Sequence, residues 1–221
     1  MKQAVELEES TGAAGVRFPL WLQAGFWVCF AIAVAVVVRR AVELLSSGDS
    51  GAPAQMAALD AWFRSRAALT WTHILCALAF VVLLPFVWRK RARMLERAFF
   101  LLGCVTGLTA YAMSANAVGG WVERSAVLFY DTAFLASLAM AYRWMRRREL
   151  ALQRRWMIRA VAILLGIATT RPVMGVFFAT ARVSHLTPQQ FFGIAFWIGF
   201  SINAIVIELW LRTRAAERMD A

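Results

Sequence analysis

The sequence has few of the residues on which soluble enzymes rely for catalysis or metal binding. Its 221 residues include two histidines and three cysteines, and 13 acidic residues stand against 24 basic ones. It contains no CxxC pair, no GxSxG or HExxH motif and no glycine-rich phosphate loop. These are motifs that hold metals, nucleophiles or phosphates. The chain therefore carries no enzyme signature, and we expect a protein without catalytic activity.

The three cysteines, Cys29, Cys76 and Cys104, all fall inside apolar stretches. Free cysteine behaves as a small apolar residue and is often buried. Because these cysteines are neither closely spaced nor placed in an exposed loop, we predict that they pack in the interior. We expect neither a disulfide nor a metal site.

Long apolar runs dominate the sequence. Hydrophobic residues make up 61% of the chain, whereas soluble domains contain roughly 45–50%. They form six runs of roughly 19–24 residues, the length of a helix that crosses a hydrocarbon layer about 30 Å thick. The sequence therefore predicts an all-α, polytopic membrane bundle of six transmembrane helices. The predicted spans are 20–38, 67–88, 98–118, 126–144, 158–181 and 191–211, so that a transmembrane domain (20–211) lies between tails 1–19 and 212–221.

The basic residues are distributed unequally between the two sides of these spans. Both tails, the loops after spans two and four and the span ends that border these loops hold 17 Lys and Arg, whereas the other three loops hold 6. Cytoplasmic loops carry the excess of basic residues, so we predict that both termini are cytoplasmic in a bacterial inner membrane. Arg39 and Arg40, just after span one, oppose this local trend.

Two cytoplasmic loops, 89–93 and 146–155, are strongly basic. Basic segments beside a membrane bind anionic lipid headgroups, so the bilayer and these headgroups are the predicted partners. Aromatic stacking platforms are absent around the loops, so we expect no nucleic-acid partner. No pattern indicates a protein partner.

Arg171 is a charged residue in the middle of span five, directly before Pro172. A charge at this depth costs roughly 2.5–3.5 kcal/mol on insertion scales and normally pairs with another polar group. Asp131 of span four is at a comparable depth. We therefore predict that Asp131 neutralises Arg171.

Other polar residues fall in the same outer half of the membrane. His73 is about 9 Å below the outer edge, counting six residues at 1.5 Å each. The predicted polar cluster consists of His73, Tyr111, Asn116, Tyr130, Asp131 and Arg171. It is either an ion pair that fixes helix register or the polar part of a ligand cavity, and the sequence leaves both interpretations open.

On the inner side, Arg159 of span five and Glu208 of span six are at comparable depth, with Asn203 one turn deeper. We predict a structural pair between these two helices. Small residues also recur every fourth position in span three (Gly103, Gly107) and span six (Ala195, Gly199). Such spacing lets helices approach closely, so both spans are expected in the bundle interior.

Several of these features together resemble a known family. They are WTHILCALAF around His73, the run RRWMIR (154–159), Thr170-Arg171, Asn203 and Glu208. The combination resembles an uncharacterised family of bacterial multi-pass membrane proteins, domain of unknown function 2306, over about residues 70–211. Members often have a histidine just before RRWMIR, where this chain has Gln153. They also often have a His-Arg pair after the span matching span two, where this chain reads RMLERA. The resemblance implies a membrane location and supplies no reaction.

Three functions follow from these patterns. The first is a non-catalytic accessory protein, or one that interacts with lipid or another small ligand, without a cofactor. The second is a small transporter or channel. The third is a redox protein that holds haem b or contacts quinone. Haem would need axial ligands, for which His73 and either Met113 or Met174 are the candidates.

Overall fold

A computed structural model describes residues 18–45, 64–89 and 93–217. The described chain forms six helices and no strand. They are α1 (Leu20–Leu45), α2 (Ala67–Arg89), α3 (Arg93–Ser114), α4 (Gly120–Arg146), α5 (Leu150–Ser184) and α6 (Pro188–Glu217). All six are long and apolar enough to cross a membrane. The predicted all-α bundle with six membrane-spanning helices is confirmed.

Most helices extend beyond the apolar runs that predict them. α5 has 35 residues, begins eight residues before the predicted span, ends three residues after it and continues through Pro172. α3 is the exception at its carboxyl end. It ends at Ser114, four residues before the end of the predicted span, and the chain turns through 115–119 with Gly120 at a φ of 62°. Asn116 therefore lies in a loop.

Helices α2 to α6 form the body of the bundle. Each packs against the next in sequence, and α4 also packs against α6. Short connections make consecutive helices antiparallel, so the bundle has two ends. We call the end that contains the α4–α5 connection the basic end. We call the end that contains loop 115–119 the cavity end.

Helix α1 lies at the periphery, against α2 and α5. None of its residues is buried. Its first half is held at the basic end, where the Phe18 ring, just before the helix, stacks on Trp210 at 5.4 Å between centroids. Its second half runs towards the cavity end and covers the space between α2 and α5.

Small residues bring the helices of the body together. A Cβ on Gly103 would lie 2.7 Å from Leu138, and one on Gly199 would lie 2.6 Å from Thr170. α3 thus approaches α4, and α6 approaches α5, as their spacing predicts. At the cavity end, a Cβ on Gly193 would lie 2.6 Å from the backbone nitrogen of Glu123, so α6 also touches α4.

The main core lies among α2, α3, α4 and α5. Phe80 and Phe99 stack at 4.1 Å, and Phe134 meets Phe80 edge to face at 5.7 Å. All three rings are buried. Their bulk fills the middle of the bundle, and the open space lies beyond them, towards the cavity end.

Candidate ligand cavity

A cavity of about 470 Å³ opens among the helices towards the cavity end. All six helices contribute to its wall, and α1 closes the side between α2 and α5. Its volume is in the usual range of small-molecule sites, roughly 300–1,000 Å³. The space is therefore large enough for a ligand.

Most of the wall is apolar. The titratable side chains that line it are Arg39, Arg40, His73, Glu123, Tyr130, Asp131 and Arg171. A few polar groups in a mostly apolar concave wall are typical of a ligand site. The cavity thus brings together four of the six residues that the sequence predicts as an outer polar cluster.

Arg171 reaches the cavity from α5. Its Nη1 contacts the sulfur of Met174 at 3.8 Å, a weak acceptor. Its Nε is buried without a hydrogen-bond partner. The charged groups whose fields act on it are Glu123, Arg39 and Arg40. The guanidinium therefore keeps donor capacity that no contact among the described residues uses.

Asp131 lines the same cavity from α4 and is 9% exposed. Its Oδ2 atom is buried without a hydrogen-bond partner. No ion pair between Asp131 and Arg171 occurs among the salt bridges of the described chain. The pairing that the sequence predicts between these two residues is not formed.

The helix register explains why. The Tyr130 hydroxyl bonds that of Ser201 at 2.6 Å, whereas Thr170 packs against Gly199. Asp131 follows Tyr130 towards the basic end, whereas Arg171 follows Thr170 towards the cavity end, because α4 and α5 are antiparallel. The difference in depth between the two charged side chains is therefore larger than that between Tyr130 and Thr170. The two charged side chains differ in depth by about four residues, or about 6 Å at 1.5 Å per residue. The arginine is nearer the cavity end.

Glu123 is a cavity residue that sequence reasoning missed. It lies in the first turn of α4, and its carboxylate accepts a hydrogen bond from the Gly119 backbone N–H at 2.5 Å. The signal was an acidic residue three positions after the Gly119-Gly120 turn. Among the described residues Glu123 is the carboxylate whose field reaches Arg171, without a direct ion pair.

His73 lines the cavity from α2 and bonds Thr109 of α3, with 2.9 Å between Nδ1 and Oγ1. The single hydroxyl proton of Thr109 is directed at the backbone carbonyls of Val105 and Thr106. These contacts favour the tautomer in which Nδ1 of His73 carries a proton and donates it to Thr109. In a neutral imidazole this leaves the lone pair on Nε2.

Three members of the predicted cluster do not join His73, Asp131 or Arg171 in a hydrogen-bonded group. Tyr130 lines the cavity but directs its hydroxyl to Ser201. Tyr111 bonds Thr132 at 2.5 Å outside the cavity wall. Asn116 is exposed in the loop after α3. The predicted group is thus not one hydrogen-bonded network.

At the basic end the structure brings Arg159 and Glu208 together. Arg159 donates from Nε to Glu208 at 2.9 Å and from Nη2 at 3.4 Å, and its guanidinium lies 4.6 Å from the Trp156 ring centroid. Asn203 does not join this pair. It accepts a hydrogen bond from Thr169 at 2.8 Å and donates one to the Ala162 carbonyl at 3.1 Å. Both contacts tie α6 to α5.

No group of three or more His, Cys, Asp or Glu side chains within 18–45, 64–89 and 93–217 has the arrangement of a metal site. His73 and the two methionines considered as haem ligands, Met113 and Met174, do line the same cavity. The charged, imidazole and thioether groups of the wall therefore border the same space.

Residues 70–211 match the family described as predicted membrane protein (DUF2306). The chain belongs to this family. The match begins in α2 and ends in α6, so it contains the body of the bundle and excludes α1. No curated protein and no solved structure matches the chain. Membership in the DUF2306 family establishes a membrane protein and assigns no activity.

Proposed function

We propose that this DUF2306 protein is a non-catalytic membrane protein that binds a small amphiphilic ligand in its cavity. Apolar groups of the ligand would contact the aliphatic and aromatic wall. Its polar group would contact Arg171 and Asp131. Helix α1, which forms one wall of the cavity, lies at the periphery of the bundle. An amphiphilic ligand could therefore reach the cavity from the bilayer.

Two unpartnered atoms carry this proposal. Asp131 Oδ2 and Arg171 Nε belong to side chains of the cavity wall, and neither has a hydrogen-bond partner. Buried polar groups nearly always have partners, and an exception in a native structure calls for an explanation. A bound molecule that accepts from Arg171 and donates to Asp131 would supply both missing bonds.

We place the protein in a bacterial inner membrane with both termini cytoplasmic. The basic end then faces the cytoplasm. There Arg147 lies over Trp144 at 5.5 Å, which is the arrangement of basic and aromatic side chains expected beside lipid headgroups. The cavity end faces the outer leaflet.

A cavity-filling variant tests the proposed site. Ala110 lines the cavity from α3, whereas Ala112 on the same helix is exposed and outside the wall. Wild type, A110F and A112F would be reconstituted in neutral-lipid nanodiscs. Each would be photolabelled with two probes that carry the same diazirine, hexadecanoate and hexadecanol. Labelled peptides would be identified by mass spectrometry.

We expect at least one probe to label cavity residues in wild type and A112F, and the labelling to be lost in A110F. Equal labelling of cavity peptides in A110F and A112F would contradict the proposal. Absence of cavity labelling by both probes in the wild type would also contradict it.

Transport is a second candidate function. One observation favours it: α1 forms a wall of the cavity although none of its residues is buried. A helix held by few interior contacts can move at a low cost in free energy. Its movement could open the cavity to the bilayer or to the aqueous medium. Transport of the bound molecule between proteoliposomes and medium would separate this function from simple binding.

A haem or quinone function is supported by the shared location of His73, Met113 and Met174 on the cavity wall. His73 can present Nε2 as a ligand because Nδ1 is engaged by Thr109. The absorbance spectrum of the purified protein tests it. A Soret band that disappears in H73A would support haem, and a spectrum without that band would exclude bound haem in the preparation.

A further inference from the structure

The polar groups of the cavity lie at different depths. Arg171 is about 6 Å nearer the cavity end than Asp131, from the helix register at 1.5 Å per residue. Arg39 and Arg40, near the end of α1, line the wall within electrostatic range of Arg171. Beyond Asp131, towards the middle of the bundle, the wall is formed by apolar side chains such as Phe134, Val81 and Leu165.

We infer that the ligand is a single-chain amphiphile with an anionic head, which binds Arg171 and directs its apolar chain towards Phe134 and Leu165. This inference rests on the function proposed above and names the chemical class of the ligand. The head would be a carboxylate or a phosphate monoester, since both offer the same oxyanion chemistry to a guanidinium.

The surroundings of Arg171 select an anion. A guanidinium presents several N–H donors in a planar fork that matches a carboxylate or phosphate. Here the only hydrogen bond of Arg171 within the described residues is to the Met174 sulfur. Arg39 and Arg40 act on Arg171 with the same sign of charge, and Arg39 itself pairs with Glu43 at 3.4 Å. An oxyanion would satisfy the guanidinium and lower the repulsion among the three arginines.

The carboxylates of Glu123 and Asp131 do not replace such an anion. Glu123 lies within electrostatic range of Arg171 but bonds the Gly119 N–H. Asp131 lies deeper and makes no ion pair with Arg171. Because Asp131 presents an unpartnered acceptor, it favours a ligand with a hydroxyl or N–H group close to its head.

The shape of the cavity limits the apolar part of the ligand. A volume of about 470 Å³ corresponds to a drug-sized molecule, since such sites measure roughly 300–1,000 Å³. This suits one acyl chain rather than a two-chain phospholipid. The aromatic rings of Phe80, Phe99 and Phe134 close the space towards the basic end, so the chain would end near the middle of the bundle.

The experiment compares the hexadecanoate and hexadecanol photoprobes, which differ in charge and share a chain. Labelling of cavity peptides would be quantified in wild type, R171Q, R171K and R124Q, reconstituted in neutral-lipid nanodiscs. Arg124 is exposed, lies near the cavity end over Trp121 and is outside the cavity wall. R124Q therefore removes the same charge without touching the site. Unlabelled hexadecanoate, hexadecyl phosphate and butyrate would be used as competitors.

We expect wild type and R124Q to favour hexadecanoate over hexadecanol by roughly tenfold or more, because charge-assisted hydrogen bonds are the strong ones. R171Q should lose this preference, and R171K should keep part of it. Hexadecanoate and hexadecyl phosphate should compete, and butyrate should not. The stronger of the two long-chain competitors identifies the head as carboxylate or phosphate.

Equal labelling by the two probes in the wild type would overturn the inference without any variant. A preference that persists in R171Q, or competition by butyrate as effective as by hexadecanoate, would also overturn it. If both probes label the cavity equally and A110F blocks both, the ligand site stands and only the anionic head is wrong. If neither probe labels the cavity, the proposed function falls as well.

Discussion

Asp131 and Glu208 show two different states of a carboxylate within one helix bundle. Glu208 receives hydrogen bonds from Arg159 and Arg212 at 2.9 and 3.1 Å. Asp131 is 9% exposed, and its Oδ2 receives none. Removing the charge should therefore have opposite effects on stability at the two positions.

We expect D131N to raise the free energy of unfolding by about 1–2 kcal/mol, because a neutral amide costs less to bury than an unpartnered carboxylate. E208Q should lower it by about 1 kcal/mol. This value is below that of a buried charged hydrogen bond, because the paired side chains are 22% and 34% exposed. Unfolding in mixed micelles with increasing denaturing detergent would measure both changes against wild type.

The two substitutions control each other, since each exchanges one carboxylate for its amide in a membrane helix. Destabilisation of the ligand-free protein by D131N would mean that Asp131 has a partner inside the protein. It would remove the reason for placing a ligand donor there.

At the scale of the helices, the α5–α6 contact depends on the absence of side chains at a few positions. A Cβ on Gly199 would lie 2.6 Å from Thr170 Cγ2 and 2.7 Å from its backbone nitrogen. Backbone cannot move aside as the end of a flexible side chain can. Gly25 of α1 has nothing within 4 Å of a Cβ, which makes it a matched glycine without a neighbour.

We expect G199A to destabilise the protein by about 1–3 kcal/mol, the usual effect of overpacking. G25A should change stability by less than about 0.5 kcal/mol or raise it slightly, since alanine favours helix. Unfolding in mixed micelles, as for D131N and E208Q, would compare G199A and G25A with wild type. Equal effects of the two substitutions would show that α5 and α6 do not approach as closely as the structure has them.

Helix α1 is attached to the body of the bundle by a chain of polar contacts. Thr169 donates its hydroxyl proton to Asn203 at 2.8 Å, so its oxygen accepts from the Cys29 thiol at 3.7 Å. The first half of α1 is therefore fixed near α5. The second half, which includes Val36, Val37 and Arg40, forms one wall of the cavity.

T169C tests this geometry, because it would put a thiol where the Thr169 hydroxyl lies 3.7 Å from the Cys29 sulfur. In a C76A/C104A background, we expect oxidation to crosslink the introduced thiol to Cys29 and so prevent alkylation. The crosslinked protein should label more slowly with the hexadecanoate photoprobe if α1 moves during entry. C29A/T169C loses the same threonine but cannot form the crosslink, and should label at the rate of reduced T169C. Failure to crosslink under oxidising conditions would contradict the α1–α5 contact.

The sequence predicts the helices better than their mutual arrangement. Apolar run length finds all six helices, since the hydrocarbon thickness sets their minimum length. It misplaces the end of α3, because loop 115–119 continues the apolar composition of the helix. Arg159 and Glu208 meet because their side chains are long enough to bridge a difference in depth of about one helical turn. Asp131 and Arg171 do not meet, because depth counted along a sequence does not determine how each helix is rotated or shifted.

At the scale of the whole molecule, the cavity is the feature that no linear pattern predicts. Its wall contains side chains from six helices separated by up to 170 positions, from Phe30 to Phe200. It exists because bulky rings fill the middle of the bundle while glycines draw α4, α5 and α6 together. Periodicity in one helix reveals which face is apolar and carries no information on a void shared by six helices. Glu123 was missed for the same reason.

The orientation of the bundle determines from which leaflet the proposed ligand would enter. Arg146, Arg147 and Arg148 lie at the basic end beside the α4–α5 connection, whereas loop 115–119 at the cavity end contains no charged residue. Basic residues favour the cytoplasmic side, so we expect loop 115–119 to lie outside. In a C29A/C76A/C104A background, A115C and E149C would each present one thiol at an exposed position at opposite ends. A membrane-impermeant maleimide should label A115C in intact bacterial cells and E149C only after the membrane is disrupted. The reverse pattern would place the cavity end in the cytoplasm, and the ligand would then enter from the inner leaflet.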